Sequence, residues 1–336
     1  MMRIFLKISI IFFALVNTSC ERLLISKNKA SNSPHENFEY LWSELDKKYS
    51  YFELKKINWD SIKTIYNSRI DEDLNEYELF EILSDLMNEL KDDHSNLISP
   101  FNVSRFNISL KSNANFRLRT IEENYFTSPE ISGSFYNDFI AENQIGYIRY
   151  SSFSNHISAS VLDYLLLKYQ DTKGIILDLR ENGGGSIINV PKLLERFVKE
   201  TKTVGYFRTR NGINHSDFSD NSSFIIHKHN GINYTKPVFV LIDRGSYSAT
   251  TMFALGTKPF ENITLVGDTT GGGGGLPNGG QLPNGWTYRF SISQLLDRSN
   301  NNYAEDGVPC DINQQFDWND INKDEILEKA IEEILK

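Results

Sequence analysis

Residues 237–252, PVFVLIDRGSYSATTM, contain the pattern that decides the fold of this chain. The first part, Val238–Ile242, is a short, unbroken apolar run rich in β-branched residues, which predicts a strand buried on both faces. After a polar turn the apolar residues change to helical spacing, with Ser246 as the predicted N-cap. Ser248 is therefore expected in the first turn of a helix that directly follows a buried strand. Backbone N–H groups at such a helix start can stabilise a developing oxyanion, although serine is also an ordinary residue there.

Strands and helices alternate along the chain on both sides of this unit. We predict strands at 145–150, 174–179 and 263–266, and a half-buried strand at 286–292. We predict helices at 157–169 and 188–198, and a closing amphipathic helix at 326–334. Such alternation is typical of an α/β fold with a partly parallel sheet. Residues 145–336 are accordingly assigned to an α/β core.

The segment 36–100 is predicted to be a separate helical unit. Its most regular stripe of leucines, at 79, 83, 86 and 90, has the spacing of an amphipathic helix, and we expect His94 to end that helix. Acidic neighbours there can orient an imidazole and raise its basicity. The next segment, 101–144, is weakly patterned and is interpreted as a linker with short strands around 106–110 and 116–118.

The first twenty residues resemble an export signal rather than a part of the fold. Basic residues precede an apolar run at 8–16 that is too short to span a bilayer, and small residues then lead to Cys20. This order is that of a lipoprotein signal with Cys20 as the acylated residue, and plain secretion is the alternative. Residues 21–35 are polar and suit a tether.

Composition and spacing argue against several classes of partner. The 336-residue chain has a net charge of -9 and no basic cluster, which is unlike a nucleic-acid-binding protein. His227 and His229 could share one face of a strand, but no third ligand at a telling spacing accompanies them, so we predict no metal. Dinucleotide-loop and phosphate-loop spacings do not occur, so we predict no cofactor.

Two glycine runs could border a site. The run 183–185 follows a predicted buried strand and precedes a helix, and it can be either a tight turn or a source of N–H groups for an oxyanion. The run 271–275 is not followed by the residues of a phosphate loop. We interpret it as a mobile loop near a cleft.

Five segments of the core resemble, in order, successive signatures of the tail-specific (C-terminal-processing) serine peptidases: IGYIRYSSF, KGIILDLRENGGG, VFVLIDRGSYSATTM, ITLVGDTTGG and EDGVPCDI. The helical segments LWSELDKKYSYF, INWDSIKTIY and LMNELKDDHSNL resemble the small helical domain that precedes the peptidase core of the tricorn protease. The resemblance covers residues 38–315. It implies an α/β core of the crotonase-like (ClpP/crotonase) type with a small N-terminal helical domain.

The resemblance also implies roles for particular residues. The family's nucleophile corresponds to Ser248, and its oxyanion hole corresponds to the backbone N–H groups of Ala249 and of Gly183 or Gly184. In tricorn-type members the base is a histidine of the helical domain, which corresponds to His94.

Two further positions depart from the tricorn pattern. Asp93 stands where the tricorn protease has a supporting serine before its histidine. The late acidic residue corresponds only approximately to Glu305, and Asp306 is the alternative.

The bacterial members with a Ser–Lys dyad are a poorer match. Gly273 stands at the position of their lysine, and no lysine occurs between residues 261 and 298. Lys258 follows Ser248 by ten residues, which is about 15 Å along a helix and too far for proton transfer. The interval 101–144 is also too short for the PDZ domain of many relatives, so capture of a substrate's C-terminus by strand addition is not assumed.

The sequence therefore predicts an exported, lipid-anchored serine endopeptidase that acts on peptides or proteins. A fragment starting near residue 101 is expected to fold but to lack its base. The alternative is a non-catalytic binder of apolar ligands or peptides on the same fold, similar to the retinoid-binding proteins of the eye. A crotonase-like acyl-CoA enzyme is a third possibility, against which export counts.

Overall fold

The computed structural model describes residues 30–107 and 114–336. The helices are α1 (Pro34–Lys48), α2 (Trp59–Asn67), α3 (Glu76–Asn88), α4 (Leu118–Asn124), α5 (Ala159–Lys168), α6 (Asn189–Leu194), α7 (Ala249–Thr257) and α8 (Glu325–Leu335). The strands up to the middle of the chain are β1 (Asn96–Ile98), β2 (Glu130–Ser132), β3 (Phe135–Ile140), β4 (Ile145–Arg149), β5 (Gly174–Asp178), β6 (Lys202–Thr209) and β7 (Ser222–Ile226). The later strands are β8 (Val238–Ile242), β9 (Ile263–Gly267), β10 (Pro277–Gln281), β11 (Thr287–Ser291), β12 (Ser293–Leu296) and β13 (Ile312–Asn313).

A seven-stranded sheet in the order β13-β9-β8-β5-β4-β3-β2 forms the centre of the fold. Within this sheet, the strands β4, β5, β8, β9 and β13 pair in parallel, whereas β2 and β3 pair antiparallel with each other and β3 pairs antiparallel with β4. Strand β8 is buried along its whole length. Its Val238 and Val240 belong to one hydrophobic cluster and its Phe239 and Leu241 to another. The sheet is thus covered on both faces, which is why this strand is an unbroken apolar run.

The segment predicted to be a linker contributes to this sheet. Strands β2 and β3 pair with each other, and β3 pairs with β4. The strand predicted around 116–118 is wrong, because Leu118 begins helix α4. Two alternating apolar residues are too short a pattern to distinguish a strand from the start of a helix. The other predicted strand, around 106–110, extends into residues that lie outside the described part of the chain. Cys20 also lies outside that part.

The helical unit shares its hydrophobic core with a hairpin from much later in the chain. Strand β11 pairs with both β1 and β10, and Leu97 lies opposite Tyr288. The side chains of Leu282, Trp286, Tyr288 and Phe290 are buried in the same cluster as those of helices α1 and α3. A fragment starting near residue 101 would expose these four side chains. The expectation that such a fragment folds by itself is therefore not supported by the packing.

Within residues 30–107 and 114–336, no helix has the length and apolar character needed to cross a bilayer.

The shared core predicts that Trp286 stabilises the helical unit from outside it. Trp286 is 6% exposed and its ring lies 5.7 Å from that of Phe80. We expect Trp286→Ala to lower the free energy of unfolding by about 3–5 kcal/mol, measured by urea denaturation. The control is Ile213→Ala, since Ile213 is 91% exposed, and we expect a change below about 0.5 kcal/mol. Equal effects of the two changes would contradict the shared core.

Candidate active site

Ser248 occupies a strained position at the start of α7. It is the N-cap residue, with φ 57° and ψ −114°. Its N–H donates to the carbonyl of Gly272 at 2.9 Å, which helps to hold this conformation. The prediction that Ser246 is the N-cap is wrong. The backbone N–H and hydroxyl of Ser246 are turned into the strand-to-helix turn instead, where they donate to Asp243 Oδ1 at 3.0 Å and to the carbonyl of Leu179 at 2.8 Å.

His94 reaches Ser248 from the helical unit. Its Nε2 lies 3.0 Å from Ser248 Oγ, across 154 residues of sequence. The prediction that His94 ends a helix is wrong, because α3 ends at Asn88. A turn with a left-handed residue, Lys91 at φ 49°, carries the chain from the helix to His94. The imidazole is buried, with the residue 6% exposed.

Asp92 holds this turn in place. Its Oδ1 accepts the backbone N–H of His94 at 2.8 Å. Its Oδ2 accepts the hydroxyl groups of Ser95 at 3.1 Å and Ser291 at 2.9 Å. Sequence reasoning noted an acidic neighbour but did not assign Asp92 to the site. An Asp side chain that accepts the backbone N–H two residues later is a common turn pattern. The Asp at position 92, two residues before His94, was therefore the signal in the sequence that could have identified this turn.

The surroundings of His94 favour a neutral imidazole. Burial lowers its pKa below the ordinary 6.5, the charge of Asp92 opposes this, and Arg289 lowers the pKa further. The Gly275 backbone also acts on the ring and raises the pKa. Among the described residues no side chain hydrogen-bonds Nδ1. The ring of Tyr247 packs edge-on against the imidazole at a centroid distance of 5.0 Å.

Among the described residues, Glu305 makes no hydrogen bond to the imidazole of His94. Its Oε1 accepts Lys55 Nζ at 2.8 Å, and its Oε2 is buried without a hydrogen-bond partner among the described residues. Burial and the charge of Asp92 raise its pKa to about 8, against the opposing charge of Lys55. The alternative, Asp306, is exposed. The structure therefore does not bring either acidic residue to the imidazole.

The two glycines proposed for the oxyanion hole differ. The N–H of Gly184 donates to Asn182 Oδ1 at 3.0 Å, so it is not available to a substrate oxygen. Gly184 has φ 91°, and a Cβ there would lie 2.8 Å from Ser248 Cβ and 2.9 Å from Ala249 N. This close approach explains why residue 184 is a glycine. Gly183 has open space beside it and lines the cavity, and its N–H and that of Ala249 remain the candidate donors.

The glycine run 271–275 is buried, so the packing does not support the prediction of a mobile loop. Backbone packs closely against it, and a Cβ on Gly272 would lie 2.0 Å from the carbonyl oxygen of Glu305. The following residues, Leu276 and Pro277, do line the cavity, as expected for a segment near a cleft.

No lysine among the described residues lines the cavity. At Gly273, which resembles the lysine position of the dyad, a Cβ would lie 2.4 Å from the ring of Tyr247. Lys258 follows the last residue of α7, and its Nζ donates to Asp311 and to the carbonyl of Pro309, each at 2.7 Å. Neither position offers a base to Ser248.

Ser248 and His94 open onto a cavity of about 580 Å³. Its walls are mainly polar, and its charged side chains are those of Asp93, Arg105 and Arg289. A polar cleft suits a peptide better than an apolar ligand. In the part of the chain that the structure describes, no group of three or more His, Cys, Asp or Glu residues could hold a metal. His229 pairs instead with Glu195 at 3.0 Å.

Comparison with known proteins agrees with this geometry. A sequence profile of peptidase family S41 matches residues 144–314. The chain belongs to peptidase family S41. A profile of the tricorn protease C1 domain matches residues 31–88, which include the end of the predicted tether, where helix α1 already begins at Pro34. The predicted family is thereby confirmed.

One similar solved structure is that of a candidate peptidase from Parabacteroides merdae ATCC 43184. It is 36% identical, with a TM-score of 0.87, over 91% of this S41 chain and 98% of that one. Mature CPAF complexed with lactacystin has the same fold, with 13% identity and a TM-score of 0.68 over 90% and 97% of the two chains. The predicted α/β fold is confirmed by these likenesses.

The carboxy-terminal processing protease CtpA of Bacillus subtilis (strain 168) is a curated relative. It is 28% identical over 156 residues, which is 46% of this chain and 32% of CtpA. The S41 chain thus spans about a third of the length of the curated relatives that it matches first.

The surroundings of His94 predict a lowered pKa for its imidazole. We expect a pKa below 6.5 for His94, measured from the pH dependence of its ring-proton NMR signal, because burial disfavours the imidazolium. Asp92→Asn removes a charge that stabilises the imidazolium, so the pKa should fall further. Asp93→Asn is the matched control, since the charge of Asp93 also raises the pKa of His94 but less than that of Asp92 does. A rise of the pKa in Asp92→Asn would contradict this electrostatic picture.

Proposed function

We propose that this S41 protein is a serine endopeptidase that hydrolyses peptide bonds in peptides or proteins. The observation that carries the proposal is the 3.0 Å separation of His94 Nε2 and Ser248 Oγ at the wall of a polar cleft. A histidine within hydrogen-bond reach of a serine hydroxyl at a helix start is the arrangement that acyl transfer requires. Family membership supports the same reaction.

In the proposed mechanism Ser248 Oγ attacks the substrate's carbonyl carbon while its proton passes to His94 Nε2. The N–H groups of Ala249 and Gly183 stabilise the negative oxygen of the tetrahedral intermediate. His94 then gives the proton to the leaving amine, and the C–N bond breaks. A water molecule, deprotonated by His94, hydrolyses the acyl-enzyme by the reverse sequence.

We propose that Glu305 supports the site without touching the imidazole. Its buried carboxyl group pairs with Lys55 and interacts electrostatically with Asp92 and Tyr247. Glu305 has a pKa of about 8, so its carboxyl group is ionised only near and above that pH, where its charge would favour the imidazolium that forms when His94 accepts the proton of Ser248.

The test of the proposed function uses three variants and a fluorophosphonate probe. Ser248→Ala should abolish labelling and peptide hydrolysis, and His94→Ala should lower both by at least about 10³-fold. Lys258→Ala is the control and should retain most activity, because Lys258 pairs with Asp311 away from the cleft. Activity should rise with pH with an apparent pKa below 6.5, because His94 acts as a base only when its imidazole is neutral. Full activity in His94→Ala would contradict the proposal.

We also propose that the protein is exported and anchored by lipid on Cys20. The apolar run at 8–16 and the small residues before Cys20 support this proposal. Growth of expressing bacteria with labelled palmitate should label the wild type but not Cys20→Ala. An unlabelled wild type that is cleaved at another position would instead indicate plain secretion.

A further inference from the structure

Lys55 makes three hydrogen bonds to residues that do not line the active-site cavity. It follows α1 in the chain, and its side chain is 10% exposed. Its Nζ donates to the carbonyls of Leu90 at 3.1 Å and Lys91 at 2.9 Å, and to Glu305 Oε1 at 2.8 Å. An ammonium group has three donors, so all three are used.

Two of these bonds hold the turn that carries His94. Lys91 has φ 49°, a left-handed conformation that costs free energy for a residue with a side chain. The residue after it, Asp92, accepts the N–H of His94 at 2.8 Å. Lys55 therefore stabilises a strained turn three residues before the proposed base.

The third bond reaches the segment that supports Ser248. The carbonyl of Glu305 accepts the N–H of Gly273 at 3.2 Å, and the carbonyl of Gly272 accepts the N–H of Ser248 at 2.9 Å. A shift of Glu305 would thus be transmitted to the backbone that holds the nucleophile.

We propose that Lys55 is a positioning residue, which fixes the His94 turn against the loop that supports Ser248. The inference rests on the proposed function. Lys55 does not line the cavity, so it sets the distance between base and nucleophile rather than contacting a substrate. An error of about 1 Å in such a distance can cost about 100-fold in rate.

The charges around Lys55 agree with this role. Burial lowers its pKa, but the charges of Glu305 and Asp92 outweigh burial and raise the pKa above the ordinary value. The group therefore stays an ammonium ion and keeps its donors throughout the working pH range.

The experiment compares Lys55→Met with Lys63→Met in the full chain. Lys63 is a matched control in the same helical unit, since it also pairs with a glutamate, Glu39, at 2.8 Å, but at the surface. The measured quantities are kinact and KI for the fluorophosphonate probe, normalised to folded protein. We expect Lys55→Met to lower kinact about 10- to 100-fold with KI changed less than twofold, and Lys63→Met to change neither.

A folded Lys55→Met protein with kinact within twofold of the wild type would overturn the proposal. A purely structural role would lower the melting temperature without changing kinact of the folded fraction. Absence of labelling in the wild type would instead overturn the proposed peptidase activity, so the two failures are distinguishable.

Lys55→Met leaves Glu305 buried without its partner and can prevent folding. The second comparison is therefore between the double variant Lys55→Met/Glu305→Gln and the single variant Glu305→Gln. Neither of these proteins retains a carboxylate at position 305 that could be left unpaired. The single variant keeps the bonds from Lys55 to the His94 turn. A further tenfold loss of kinact in the double variant supports the proposal, and equal values overturn it.

Discussion

The hydrogen bond between His94 Nε2 and Ser248 Oγ joins two separately packed parts of the molecule. His94 belongs to the helical unit, whose hydrophobic cluster is distinct from the clusters that cover the central sheet. Two bodies with separate cores can shift relative to each other unless other contacts fix them. Here the hairpin of β10 and β11 provides such a contact. It follows strand β9 of the central sheet in the chain, but its side chains pack in the hydrophobic cluster of the helical unit. The proposed chemistry depends on this interlocking.

Backbone crowding around Ser248 provides the second constraint. Gly184 approaches Ser248 so closely that a Cβ there would lie 2.6 Å from the carbonyl oxygen of Tyr247. Gly272 packs still more tightly, since a Cβ there would lie 2.0 Å from the carbonyl oxygen of Glu305. A positive φ at a serine costs about 1–3 kcal/mol and persists only when its surroundings enforce it. The glycines let two backbone segments enclose the nucleophile, and their hydrogen bonds maintain its strained conformation.

The electrostatics differ from those that a lysine base would need. A lysine becomes a base only when burial lowers its pKa, whereas an imidazole is already neutral near neutral pH. The ring of Tyr247 fills the space beside Gly273 and packs against His94. Lys55, whose side chain is 10% exposed, pairs with Glu305, and the charges of Glu305 and Asp92 raise its pKa. These surroundings therefore favour the neutral imidazole of His94 and the charged ammonium group of Lys55.

Local pattern was sufficient for much of the fold. The unbroken apolar run of β8 needs burial on both faces, and the leucine stripe of α3 needs one face buried. Both requirements can be read from spacing alone. The change from strand to helix spacing also located Ser248, and the resemblance of short motifs located His94.

Tertiary structure decided what depends on residues far apart in the chain. Asp92 was missed as part of the site, because its second oxygen is satisfied by Ser291, which the sequence does not place nearby. The choice between Gly183 and Gly184 depended on which N–H was already bonded, and spacing contains no such information. Glu305 matched a motif, but its partner is Lys55, 250 residues away. Sequence alone determined the elements with a strong periodic pattern, because periodicity reflects burial. Only the tertiary structure determined which polar groups meet, because hydrogen bonds and buried charges depend on distances that no local pattern encodes.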